Sequence, residues 1–187
     1  GMCCGTAQNS YRTLHSMRVM LADGAVLDTG DPASREAFHA SNGPLLARLA
    51  ELGQRTRADA ALAERIRTKF KIKNTTGYSL NALVEFSDPV EILAHLMIGS
   101  EGTLGFISEI TYRTVPDHPH KASALILFDD LGTACRAVTV LKGQPVDAVE
   151  LCDRAGLRSV AGKPGLPESL EGLGPDGAAL LVETRAA

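Results

Sequence analysis

The sequence predicts an α+β fold in two parts, on three observations. A strand–turn–strand signal stands near the start, helical runs fill the middle, and strands alternating with a helix follow a proline-rich joint at residues 116–120. Both hydrophobic periods therefore occur in one chain, grouped in blocks.

Residues 14–21 read as a strand, and Asp23-Gly24 is a tight-turn signal because Gly tolerates the positive φ such turns need. Residues 25–28 return as its partner. Phe38, Leu45, Leu46, Leu49 and Leu52 recur at mostly helical spacing, and the reading makes them one helix. Leu62, Ile66 and Phe70 share a face of a second helix. The stretch KNTTGYSLNAL, residues 73–83, interrupts the pattern. Asp88-Pro89 starts a third helix, with Asp88 as cap, Pro89 in the first turn and Glu91 completing a capping box. Ile92, Leu93, Leu96 and Met97 give it an apolar face. Residues 107–115 alternate as a half-buried strand, with Ile110 and Tyr112 on one side and Glu109, Thr111 and Arg113 on the other. PDHPH, residues 116–120, stops regular structure. A strand at 122–128, a helix at 131–142, a strand at 147–151, a short helix at 154–162 and a strand at 178–183 follow, an order that fits part of a split βαβ unit.

Composition removes several function classes. The 187 residues are 44% hydrophobic, enough for a packed core, and a net charge of -3 without a basic stripe gives no case for nucleic acid. No apolar run reaches membrane-spanning length, and no signal peptide is visible. Cys3, Cys4, Cys135 and Cys152 form neither a CxxC pair nor a metal pattern, so reduced cytosolic thiols are the expectation. His118 and His120 flank a proline without a third ligand at useful spacing, which reads as linker. His95 reads as a helix-surface or core histidine.

The densest signal is IGSEGTLGFISEI, residues 98–110. Gly99, Gly102 and Gly105 are spaced GxxGxxG between a helix and a strand. The dinucleotide fingerprint is GxGxxG between a strand and a helix, so both spacing and order exclude it, and no GxxxxGK[ST] phosphate loop occurs. Close glycines let a backbone bend and approach a ligand without Cβ interference; they also serve as plain helix-to-strand caps.

IGSEGTLGFISEITYR, KNTTGYSLNAL and GMCCGTAQNSYRTLHSMRVMLADGAVLDTG together, in this order, resemble motifs of FAD-linked oxidases of the vanillyl-alcohol-oxidase (PCMH) type. The subgroup they are most similar to is the D-lactate and related D-2-hydroxy-acid dehydrogenases. The resemblance implies the second half of a PCMH-type FAD-binding domain over residues 1–116 and a partial ferredoxin-like substrate cap over 117–187. It implies FAD as cofactor, with contacts at Met2, Cys4, Gly5 and Thr6 and at Gly99, Glu101, Gly102, Gly105 and Ile107. Glu101 would repel a diphosphate, so a hydroxyl or backbone donor is its expected partner.

The activity implied is oxidation of D-lactate or a related D-2-hydroxy acid to the 2-oxo acid by hydride transfer to flavin N5. Electrons would pass on to a quinone, a cytochrome or a fused iron–sulfur centre, and a quinone acceptor would place the protein peripherally at a membrane. No metal site is expected, and no residue is identified as the catalytic base. The family's upstream glycine-rich loop and late cap histidines have no match, so the chain reads as an internal piece, inactive alone and prone to self-association through uncovered edges. The rival reading is a non-catalytic α+β assembly module with a structural glycine loop.

Overall fold

The computed structural model describes residues 5–187. They form two compact units, the first ending at Val115 and the second running from Pro116 to Ala187.

The first unit begins with α1 (Ser10–Thr13), capped by the Asn9 side chain, and β1 (Leu14–Met20). The chain turns at Asp23-Gly24, with Gly24 at φ +84°, and returns as β2 (Val26–Asp28). Then come α2 (Pro32–Ser41), α3 (Gly43–Ala58), α4 (Ala60–Lys69), α5 (Ala82–Glu85), α6 (Pro89–Met97) and β3 (Phe106–Tyr112). The sheet is antiparallel in the order β2-β1-β3. Phe38 of α2, Leu46 of α3, and Val90, Leu93 and Met97 of α6 close over Met17, Val19 and Leu27 of the sheet. A second cluster joins Tyr11, Ala82, Leu83, Ile92 and Leu96.

Three details depart from the sequence reading. The single helix expected through Phe38 to Leu52 is two, broken at Asn42, because Pro44 in the first turn of α3 has no N–H with which to continue α2. The capping box on α6 is half made. Asp88 Oδ1 accepts from the Val90 N–H at 2.9 Å, but Glu91 Oε1 accepts from Arg35 at 3.0 Å. Arg35 also pairs with Asp88 and donates to the Thr29 carbonyl, so one guanidinium ties the start of α6 to the β2–α2 corner. Last, β3 does not alternate cleanly. Val19 pairs with Ile107 and Arg18 with Glu109, leaving Ser108 as an extra residue. This bulge breaks the alternation, so Ile107 and Ile110, three positions apart, both turn to the core, while Tyr112, opposite the buried Leu14, keeps to the side of Ile110 and is 42% exposed at the strand's end.

The second unit runs β4 (His120–Phe128), α7 (Leu131–Leu141), β5 (Ala148–Cys152), α8 (Arg154–Ser159), a 3-10 turn (Glu168–Leu170) and β6 (Ala178–Ala186). Its sheet order is β4-β6-β5, with β6 antiparallel to both neighbours. β4 and β5 are therefore parallel with α7 crossing between them, a split βαβ arrangement. Asp130 caps α7 through the Thr133 N–H at 2.8 Å. Ala134 of α7 packs on Ala178, Leu180 and Val182 of β6, with Phe128, Leu141 and Val149 around them. The protein is thus α+β in both units.

Candidate functional site

The glycine loop leaves α6 at Met97 and enters β3 at Phe106. Gly99, Glu101 and Gly102 lie at φ +83°, +52° and +79°. Two of these left-handed positions suit glycine. Glu101 is the one non-glycine residue with positive φ among the described residues, a conformation that costs about 1 kcal/mol or more. The loop holds its shape with Ser100 N–H to Met97 O at 3.1 Å and Thr103 N–H to Ser100 O at 3.0 Å. Left-handed residues in tight turns are how main chains build concave N–H surfaces for anions.

Gly105 has a different reason to be glycine. A Cβ there would stand 2.8 Å from the Met20 carbonyl oxygen and 3.1 Å from the Met97 terminal methyl, so its place is fixed by the approach of the loop to β1.

The stretch 73–83 packs against this loop. Ser79 Oγ donates to the Ile98 carbonyl at 2.8 Å, and the Tyr78 hydroxyl lies 2.9 Å from Thr103 Oγ1. Two segments picked out separately in the sequence thus form one wall. Along it run two adjoining clefts that share Ser10, Ile98, Gly99 and Glu101. One, of about 460 Å³, reaches Gly102, Gly105 and Ile107. The other, of about 310 Å³, reaches Gly5, Lys73, Asn74 and Gly77. Thr6 lines a smaller hollow beside them, with Tyr11, Arg12 and Asn81. Met2 and Cys4 lie outside the described residues.

These residues suit the polar portion of a dinucleotide. Each cleft has the size of a small-ligand site, and Gly102 has no heavy atom within 4 Å of where a Cβ would stand. Lys73 contributes positive charge to one cleft. Glu101 contributes negative charge to both, which matches a sugar hydroxyl better than a phosphate.

Behind the clefts lies a polar cluster that the sequence reading did not find. Glu85 receives Arg12 in bidentate fashion, at 2.8 and 2.9 Å, the Tyr11 hydroxyl at 3.0 Å and Asn81 Nδ2 at 3.3 Å. Burial, then the Glu85 charge, push the Tyr11 phenol well above its ordinary range. His95 is buried, stacked on Phe86 at 4.1 Å and met edge-on by Tyr11 at 4.8 Å, with Nδ1 2.8 Å from the Glu91 carbonyl oxygen. Burial pulls its pKa down, against the opposing pull of Glu91. Asn81 Oδ1 is buried without a hydrogen-bond partner among the described residues. Tyr11 and Glu85 stand 74 positions apart, so no local pattern announces the cluster. No group of three or more His, Cys, Asp and Glu residues placed to hold a metal occurs among the described residues.

No family model matches the chain. Among curated proteins, a segment of 70 residues is 39% identical to "D-lactate dehydrogenase [cytochrome], mitochondrial" of Arabidopsis thaliana, covering 36% of this chain and 12% of that protein. The chain thus spans a small part of the relative it matches, and its relation to that dehydrogenase is distant and partial.

Proposed function

We propose that the chain forms one wall of the flavin site in an FAD-dependent oxidoreductase that converts D-lactate, or a related D-2-hydroxy acid, to the 2-oxo acid. One observation carries the reading. The stretch 73–83 and the glycine loop, both similar to motifs of FAD-linked oxidases, are hydrogen-bonded to each other and line shared clefts. The similarity to a D-lactate dehydrogenase supports the substrate class.

On this reading the first unit is part of an FAD-binding domain and the second part of a substrate cap. Bound FAD would supply a hydride acceptor at N5. The backbone at Gly5, Gly99 and Gly102 admits the cofactor without side-chain interference, Lys73 faces its diphosphate, and Glu101 accepts from a hydroxyl. Gly105 and Ile107 keep the loop against the sheet, so their contribution is to position it. The described clefts are open to solvent, so the chain alone holds FAD weakly and does not turn over substrate.

Titrating FAD into the purified chain and following flavin fluorescence polarisation tests this. Weak saturable binding is expected, lost on gel filtration and abolished by Gly99→Val, with no dye reduction on adding D-lactate. No saturable binding at millimolar FAD would remove the flavin assignment. Dye reduction would show that these residues complete an active site.

A further inference from the structure

A third cleft, of about 380 Å³, opens between α4 and the stretch Asn74 to Leu80. One wall carries Leu62, Ile66 and Phe70 at i, i+4 and i+8, and the other carries Tyr78 and Leu80. Arg65 and Lys69, one turn apart on α4, belong to the same wall as the leucine and isoleucine. Neither side chain makes a hydrogen bond or ion pair among the described residues, although Arg67 on the same helix has Glu64 at 3.9 Å. Like charges at i, i+4 repel, and here they sit beside an apolar trough in which Leu62, Tyr78 and Leu80 remain more than 40% exposed. Small-ligand sites combine these parts: mostly apolar walls, a few polar groups that fix orientation and a volume of this order.

We propose that this cleft binds an amphipathic anion, namely a free carboxylate carrying an unbranched apolar chain. The chain would lie between Ile66 and Leu80 and the carboxylate between Arg65 and Lys69. A guanidinium offers a carboxylate two parallel donors, and the lysine adds a second charge that the bound anion offsets. The aliphatic parts of both cationic side chains extend the apolar wall. The proposal does not depend on the flavin reading. The two sites do adjoin: Asn74 and Gly77 line this cleft and the glycine-loop cleft alike, and Tyr78, a wall here, reaches Thr103 of the loop.

Isothermal titration of the purified chain with butyrate, hexanoate, octanoate and decanoate, all below their micelle concentrations, is the test. Affinity is expected to rise roughly two- to fourfold per added methylene. Decanol is expected to bind at least tenfold more weakly than decanoate. The double variant Arg65→Gln/Lys69→Gln should lose that preference while keeping the native circular dichroism spectrum, since both positions are exposed on a helix and Gln is a good helix former. Leu80→Asp should abolish binding of the whole series. Equal affinity for decanol and decanoate in the unmodified chain would overturn the proposal without recourse to any variant. So would an affinity independent of chain length. Binding to phosphatidylglycerol vesicles without binding to monomeric decanoate would assign the surface to a bilayer and overturn it as well.

Discussion

Gly105 gives the sharpest structural prediction, because its constraint is a distance and not a dihedral angle. In Gly105→Ala the new methyl would meet the Met20 carbonyl at 2.8 Å and the Met97 methyl at 3.1 Å. The Met97 terminus can swing aside, but the Met20 carbonyl belongs to the central strand of a paired sheet and cannot move alone. Overpacking against backbone falls at the upper end of the usual range, about 2.5 kcal/mol. With a urea m-value of about 1.5 kcal/mol/M, the unfolding midpoint drops by roughly 1.7 M. Gly102→Ala is the internal control: its methyl meets nothing within 4 Å, but φ is +79°, which costs about 1 kcal/mol. Tyrosine fluorescence is the natural signal. Tyr11, Tyr78 and Tyr112 are the only tyrosines and there is no tryptophan, so the signal reports the first unit alone. A Gly105→Ala midpoint at or above that of Gly102→Ala would refute the close approach of loop and strand.

Two further perturbations address the buried cluster. His95 has a lowered pKa in the folded state, so the unfolded chain binds the extra proton more readily, and stability falls as pH drops through the unfolded value of 6.5 towards the folded one. The urea midpoint should therefore decline between pH 7 and 5.5, and His95→Phe should flatten that decline; an unchanged slope would mean another group is responsible. Tyr11→Phe removes a hydrogen bond to the half-buried Glu85 carboxylate, with Arg12 still in place, and should cost about 1 kcal/mol by the same assay. A midpoint identical to the parent would mean that the Tyr11–Glu85 contact contributes nothing.

Features set by local chemistry were legible in the sequence. Asp23-Gly24 marks its turn, Asp88-Pro89 marks the start of α6, and the glycine loop joins a helix to a strand as its spacing implied. The strands expected at 147–151 and 178–183 are present as β5 and β6. What escaped depends on partners distant in sequence. The bulge at Ser108 exists only in the pairing of β3 with β1, so the broken alternation between Ile107 and Ile110 was not visible in the sequence. Glu91 looked like a cap until Arg35, 56 positions away, claimed it. The Tyr11–Arg12–Glu85 cluster lacks any local signature for the same reason. At the candidate site, the sequence supplied the glycines and the two segments. It did not show that Gly105 is held by packing, nor that the segments are hydrogen-bonded to each other.

The two sheets also differ in when their middle strand is made. In the first, the central strand β1 comes earliest and can pair at once with β2 across a short turn, leaving only β3 to return from far along the chain. In the second, the central strand β6 follows both β4 and β5, so within this sheet neither has a hydrogen-bonding neighbour until β6 arrives. During synthesis, then, the first sheet can grow outward from a local hairpin. The second must keep two strands waiting and close all at once, with the entropy of the long loops still to be overcome. A chain cut short before residue 178 would therefore leave β4 and β5 as open edges, while keeping the β1–β2 pair.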